Sequence, residues 1–438
     1  MMSSLYKNKM SKLCLFALLS VVLATMCCCH AISAKAAQKV NVAVQQQTNV
    51  TFPSPGIKGG AIRLHGTLTT TTNSGSKKKF GAIFIHGSGP NDRYESFAGT
   101  LWNTDAKPNA LKPKCGVVQL QHELFTDLTR FFVDNGIDTL AYDKRDCCRQ
   151  SVCSKCVPTS EHKYPSTCYY ACMPDVEPQQ VNTQDETLDD IAMDAASALL
   201  YMQNQGYEHL IVVGHSEGVA VSPRAVEYYL NLTKSSVVSH IILLGGTQRD
   251  VDSHLVAQYQ RINQRAKELE TECRNDPSAP YSKELIESMQ NIEMIAEQMS
   301  VALKDFFEKF RAGQYPLDFT YNIGGYVTGT YLSKWMAYTN VSNYERILRN
   351  DRFNRIHVMS INSPTDMNVH EEDYASLIQV LKSRSSQVSS SLTNIQIIPN
   401  LTHYMTNASF VGPTKQHIIP QVAQSIVDFI RQTPLKGL

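Results

Sequence analysis

Leu210-Ile211-Val212-Val213-Gly214-His215-Ser216-Glu217-Gly218 is the stretch on which the reading of this chain turns. Four consecutive apolar residues read as a strand buried on both faces. Downstream, Ala220 to Leu230 reads as a helix. The pentapeptide Gly214-His215-Ser216-Glu217-Gly218 therefore spans a strand-to-helix turn. Gly-x-Ser-x-Gly in that setting is a nucleophile elbow, whose glycines permit a turn tight enough to present a strained serine at the helix N-terminus. Without its flanks the pattern would fit an ordinary turn, where Gly and Ser are common. The strand before it and the helix after it select the elbow.

Such a serine needs a base, an acid to orient that base, and donors for an oxyanion. Where a nucleophile elbow carries the serine, the partners follow in the order Ser, Asp or Glu, His. Arg355 to Ile361 reads as a buried strand that empties into the turn-rich loop Asn362-Ser363-Pro364-Thr365-Asp366, with a helix from Glu371 to Leu381 beyond it. Asp366 thus falls just past a strand's carboxyl end, where open α/β sheets gather functional groups. One strand later, Ile395 to Ile398 runs into Pro399-Asn400-Leu401-Thr402-His403, so His403 takes the equivalent place. A single loop Asp or His is ordinarily a solvated or capping residue. Both in this order behind an elbow read as a triad of Ser216, Asp366 and His403. The strand Phe80 to Ile85 empties into His86-Gly87-Ser88-Gly89-Pro90, whose glycines let amide N–H groups turn inward. The expected oxyanion donors are the backbone amides of Ser88 and Glu217, against the plainer reading of a Gly-Pro turn.

Together these pieces resemble the α/β-hydrolases, specifically the bacterial esterase-like group related to dienelactone hydrolases and serine aminopeptidase-type hydrolases. The resemblance is carried by His86-Gly87-Ser88-Gly89-Pro90-Asn91-Asp92-Arg93, Tyr142-Asp143-Lys144-Arg145, the pentapeptide, Asp366 and His403, and spans most of the chain from residue 60 onward. It implies hydrolysis through an acyl-enzyme, with no metal or organic cofactor. Glu217 matches an acid in that family and is expected to pair with a neighbouring cation. Where the family continues the Tyr-Asp-Lys-Arg run with a Gly-x-Gly turn, this chain has Asp146-Cys147-Cys148-Arg149.

The rest of the chain parses as a scaffold with insertions. Runs such as Ile62 to Leu68 suit an N-terminal antiparallel hairpin. Strands near 80, 139, 210, 240, 356 and 395 alternate with helical patterns, which argues an α/β fold: a mostly parallel twisted sheet with helices on both faces. The hydrolase core is expected over 37–251 and 344–438, with a cysteine-rich insertion at 146–180 and a helical cap at 252–343. Gly324-Gly325 lacks the strand before and helix after that a nucleotide-binding loop requires.

Lys7, Lys9 and Lys12 precede an apolar run from Leu13 to Cys29, and Ala34-Lys35-Ala36 fits a small-x-small cleavage site, so residues 1–36 read as a signal peptide and the protein as secreted or periplasmic. Four of the twelve cysteines fall in that leader. The remaining eight (Cys115, Cys147, Cys148, Cys153, Cys156, Cys168, Cys172 and Cys273) favour disulfides in an oxidising compartment, with zinc binding by Cys153-x-x-Cys156 and Cys168-x-x-x-Cys172 as the alternative. Across 438 residues, 41 basic and 40 acidic side chains leave a formal charge of +1, which offers no electrostatic reason to bind nucleic acid. Contact with a membrane through an apolar cap surface stays open. The reading is a secreted serine esterase acting on a small-molecule ester or acyl substrate. A peptidase or thioesterase on the same triad is one alternative, and a non-catalytic binding protein on the same scaffold is another.

Overall fold

The computed structural model describes residues 45–58, 60–71, 79–89, 91–102, 117–145, 187–233, 236–275, 283–323, 326–388, 392–408 and 416–433. The leader, the segment Cys147 to Cys172 and Cys115 lie outside them, as does the side chain of Cys273.

An eight-stranded sheet organises the molecule. Its strands are β1 (Gln45–Ser54), β2 (Ile62–Thr71), β3 (Phe80–Ile85), β6 (Asp138–Tyr142), β7 (His209–His215), β8 (Val238–Leu244), β11 (His357–Asn362) and β12 (Thr393–Ile397), in the spatial order β1-β2-β6-β3-β7-β8-β11-β12. β1 and β2 form the expected antiparallel hairpin, with Gln45 opposite Thr71 and Ser54 opposite Ile62. β2 is antiparallel to β6, and every pairing from β6 to β12 is parallel. The pleat sorts side chains onto two faces with period two. Ile83, Ile85, Leu210, Val212, Ile241 and Leu243 pack with α2 (Leu188–Asn204) and α3 (Glu217–Thr233) on one face. Ala82, Phe84, Ile211, Val213, Ile242 and Leu244 pack with α1 (Leu124–Asp134) and α9 (Pro420–Gln432) on the other. Both faces are covered, as parallel strands require, which is why these strands read as unbroken apolar runs. The strand order, the two-sided helix layers and the elbow after β7 together make this the α/β-hydrolase fold.

Two antiparallel pairs lie outside the large sheet: β4 (Ser96–Trp102) with β5 (Val117–Glu123), and β9 (Thr320–Asn322) with β10 (Tyr326–Thr328). The β4–β5 hairpin has no signature in the sequence patterning. Between β8 and β11 the chain builds α4 (Val251–Asn275), α5 (Lys283–Arg311), β9, β10, α6 (Gly329–Tyr338) and α7 (Val341–Leu348). This insertion carries a small core of its own from Leu303, Phe307, Phe310, Tyr321, Ile323 and Leu332. Beyond β11 runs α8 (Glu371–Gln387). Among the described residues no helix is long and apolar enough to cross a membrane.

α3 begins at Glu217 rather than Ala220 and continues through Pro223. A proline inside a helix leaves the carbonyl four residues back without its N–H partner. Here that carbonyl belongs to Val219, and the buried hydroxyl of Tyr344, on α7, donates to it at 3.2 Å. The insertion thus repairs the helix that carries the serine.

Candidate active site

Parallel strands end at a common edge, so the loops that follow them open on the same side. Ile85 pairs with Gly214, His215 with Leu244, Leu244 with Ile361 and Asn362 with Ile397. Those registers bring the loops carrying Ser88, Ser216, Asp366 and His403 to one place. All but Asp366 line a cavity of about 290 Å³, and Asp366 sits behind His403.

Ser216 has φ +54°, a left-handed conformation that a non-glycine residue adopts only under constraint. Its amide donates to the Leu244 carbonyl at 3.0 Å, and its own carbonyl accepts from Val219 in the first turn of α3. The flanking glycines are required by close approach. A Cβ on Gly214 would meet Ser222 Oγ at 2.2 Å, and one on Gly218 would meet the Ile85 carbonyl oxygen at 2.2 Å. The elbow is therefore pressed against β3 and its loop.

Asp366 is 1% exposed and both its carboxylate oxygens are used. Oδ1 accepts the amides of Asn368 at 2.8 Å and Val369 at 3.0 Å, and Oδ2 lies 2.8 Å from His403 Nδ1. An ionised carboxylate only accepts, so the proton of that contact sits on Nδ1 and Nε2 carries the imidazole lone pair. The two loops are also stitched to each other: Thr365 Oγ1 donates to the Leu401 carbonyl, and the Leu401 amide donates to Ser363 Oγ.

The loop after β3 is held by groups to which the sequence analysis gave no role. Glu95, buried and itself at φ +48°, accepts the Gly87 amide through Oε1 at 2.6 Å. The Gly87 amide is therefore already engaged. The same Oε1 stands 2.9 Å from Nδ1 of His215, whose Nε2 reaches the His403 carbonyl oxygen at 2.9 Å. Burial pushes the His215 imidazole down, but the Glu95 carboxylate outweighs it and the net shift is upward. Burial raises the Glu95 carboxyl, and His215 and His86 outweigh that, so the net shift is downward. The pair is an ion pair that clamps three loops together. Its neighbour His86 goes the other way: burial, with Lys144 adding to it, pushes it down to about 4 and keeps it neutral.

Lys144, from the Tyr-Asp-Lys-Arg run, donates through Nζ to the carbonyls of Gly87 at 2.9 Å and Gly89 at 3.1 Å and to Glu217 Oε1 at 3.1 Å. Glu217 thus pairs with a neighbouring cation, and it also accepts from the hydroxyl of Tyr331 on α6. Asp143 receives a two-pronged contact from Arg93, Nε to Oδ1 at 3.0 Å and Nη2 to Oδ2 at 2.5 Å. Arg145 does the same for Asp194 on α2. Every charged residue of that run therefore braces the β3 loop or the helix behind it. The Glu217 amide opens α3, where a helix has no carbonyl of its own to offer. Glu217 and Ser88 both line the cavity with Ser216.

The roof comes from the insertion. Val251, Leu255 and Gln258 repeat at helical spacing on one face of α4, His254 lies beside them, and Trp335 joins from α6. Among the described residues no group of three or more His, Cys, Asp or Glu side chains is disposed to hold a metal ion.

No family model and no curated protein matches the sequence. Similar solved structures include Est1E from Butyrivibrio proteoclasticus, 12% identical over 87% of this chain and 98% of that one with a TM-score of 0.40. An esterase from Pyrococcus furiosus is 11% identical over 88% and 91%, with a TM-score of 0.40. The esterase domain of a Rhodothermus marinus protein is 13% identical over 87% and 98%, with a TM-score of 0.39.

Proposed function

We propose that this α/β-hydrolase-fold protein is a serine hydrolase of small esters, within the esterase-like group its motifs resemble. One observation carries the reading: His403, backed by Asp366 at 2.8 Å, opens into the same cavity as a serine held at φ +54° on an elbow. In this mechanism Ser216 Oγ attacks the acyl carbonyl while His403 Nε2 takes its proton, and Asp366 stabilises the resulting imidazolium. The carbonyl oxygen becomes an oxyanion received by the amides of Ser88 and Glu217, a contribution of about 3 kcal/mol per donor. His403 returns the proton to the departing alkoxide, and a water activated by the same imidazole cleaves the acyl-enzyme. The apolar leader over residues 1–36 supports export.

The test is Ser216→Ala, which removes the nucleophile and little volume. It should abolish both hydrolysis of 4-nitrophenyl acetate and covalent labelling by a fluorophosphonate while the thermal transition is retained. Persistent labelling in that variant would move the nucleophile elsewhere. Running an acyl thioester and an aminoacyl amide beside the ester ranks the leaving groups, and a folded wild type inert to all three would favour a binding protein.

A further inference from the structure

The cavity wall contributed by the β8–α4 loop is polar in a way that hydrolysis of a plain alkyl ester does not need. Arg249 lines the cavity, and its side chain is 31% exposed. Its Nη1 donates to Asp373 Oδ1 at 2.8 Å. Its Nε and Nη2 groups have no acceptor among the described residues, so one edge of a planar five-donor fork is engaged and the rest is open. Asp373 is not Arg249's alone. The same carboxylate, 0% exposed, takes Arg261 Nη2 at 2.6 Å and faces His254 Nδ1 at 3.3 Å. Burial pushes the Asp373 carboxyl up, but His254, Arg261 and Arg249 outweigh it and hold it at about 2. The other acid in this network, Glu372, is half exposed and pairs with Arg261 and His370 rather than with Arg249.

The acids that line the cavity are also spoken for. Glu95 faces His215, and Glu217 faces Lys144. Arg249 lines the cavity and shares its one carboxylate partner among the described residues with Arg261 and His254. Two neighbours add polarity on the same wall. Gln258 Nε2 donates to Asn368 Oδ1 at 2.7 Å, and Gln258 Oε1 and Asn368 Nδ2 have no partner among the described residues.

We infer that Arg249 forms an anion subsite in the cavity of Ser216, and that the preferred substrate is a small ester carrying a free carboxylate, held by the open edge of the guanidinium while its ester carbonyl meets Ser216. This rests on the hydrolase reading above. A carboxylate suits the flat fork, which binds it through two parallel hydrogen bonds. The volume of about 290 Å³ restricts the ligand to a small molecule.

Monoethyl glutarate and ethyl 4-carbamoylbutanoate make the test, because they differ only in carboxylate against carboxamide. The wild type should favour the acid by about tenfold or more in kcat/KM, the scale of one charge-assisted hydrogen bond. The preference should shrink as salt is raised, and in Arg249→Gln the acid-to-amide ratio should fall to about one, chiefly through KM. Arg249→Lys, which keeps the charge without the fork, should retain an intermediate ratio. Glutarate should also raise the melting temperature of the wild type, more than glutaramide does, and not that of Arg249→Gln. That readout is independent of turnover, so an inactive protein that glutarate still stabilises through Arg249 would sink the hydrolase reading and leave the subsite standing. Hydrolysis of both esters at equal kcat/KM by the wild type, or an acid preference untouched in Arg249→Gln, would overturn the subsite while leaving the hydrolase reading intact.

Discussion

Gly218→Ala puts the contact between elbow and oxyanion loop under direct test. A Cβ at this position would lie 2.2 Å from the Ile85 carbonyl oxygen and 2.9 Å from that of His86, whereas ordinary contact begins at 3.4 Å. Both obstacles are backbone atoms at the end of β3, so neither can swing aside as a side-chain tip could. Either β3 and its loop or the first turn of α3 must retreat by about 1 Å, and a misplacement of that size can cost about 100-fold in rate. Ser88 lies two residues beyond His86 and Glu217 one residue before Gly218, so both proposed donors move out of register together. Losing one such donor costs about 100- to 1,000-fold in kcat. Overpacking costs about 1–3 kcal/mol of stability, which a domain of this size survives. The expected result is a folded protein whose kcat on 4-nitrophenyl acetate is down at least about 100-fold with little change in KM. Fluorophosphonate labelling should slow in parallel. Gly136→Ala is the control: it has φ +80° and nothing within 4 Å of the added Cβ, so it should lower the melting temperature without touching kcat. A Gly218→Ala enzyme within threefold of wild-type kcat would refute the argument that this packing sets the oxyanion geometry.

Two further predictions concern the groups behind the serine. Asp366→Asn should lower kcat by about 10,000-fold with the fold retained, because an amide at this position no longer enforces the Nδ1-protonated tautomer; a kcat within tenfold of wild type would remove Asp366 from the triad. Glu95→Gln dissolves the ion pair with His215, and its effect on stability should depend on pH. The raised His215 value adds stability that is fully present below 6.5 and is lost as pH rises through the folded value. The lowered Glu95 value adds stability that is present above 4.5 and is lost as pH falls through the folded value. Urea unfolding should therefore show the largest gap between wild type and Glu95→Gln between pH 4.5 and 6.5, narrowing at alkaline pH, and a gap independent of pH would count against the pair being ionised.

Much of this protein is written locally and can be read locally. The strands β3, β7 and β8 carry runs of four apolar residues, Ala82 to Ile85, Leu210 to Val213 and Ile241 to Leu244, because both their faces are covered. Gly214 and Gly218 mark the elbow because any side chain there would strike β3 or α3. The order Ser216, Asp366, His403 follows from strand order along the chain, and each residue stands next to a strand end that its own neighbours announce. What lay beyond the sequence depends on contacts between distant segments. Glu95 looks like one more loop acid until the fold sets it against His215, 120 positions away, and the Gly87 amide. Lys144 belonged to a recognisable run but had no role until β6 came to lie beside β3, within reach of two loop carbonyls and Glu217. Arg249, His254 and Asp373 carry no motif, because a polar cavity wall is made by packing α4 against the loop before α8 and has no fixed spacing to betray it. Backbone demands such as tight turns and buried strands restrict residue type at single positions and so leave a trace in one sequence. Pairings among long polar side chains can be met from many positions, and only the tertiary structure decides which ones meet.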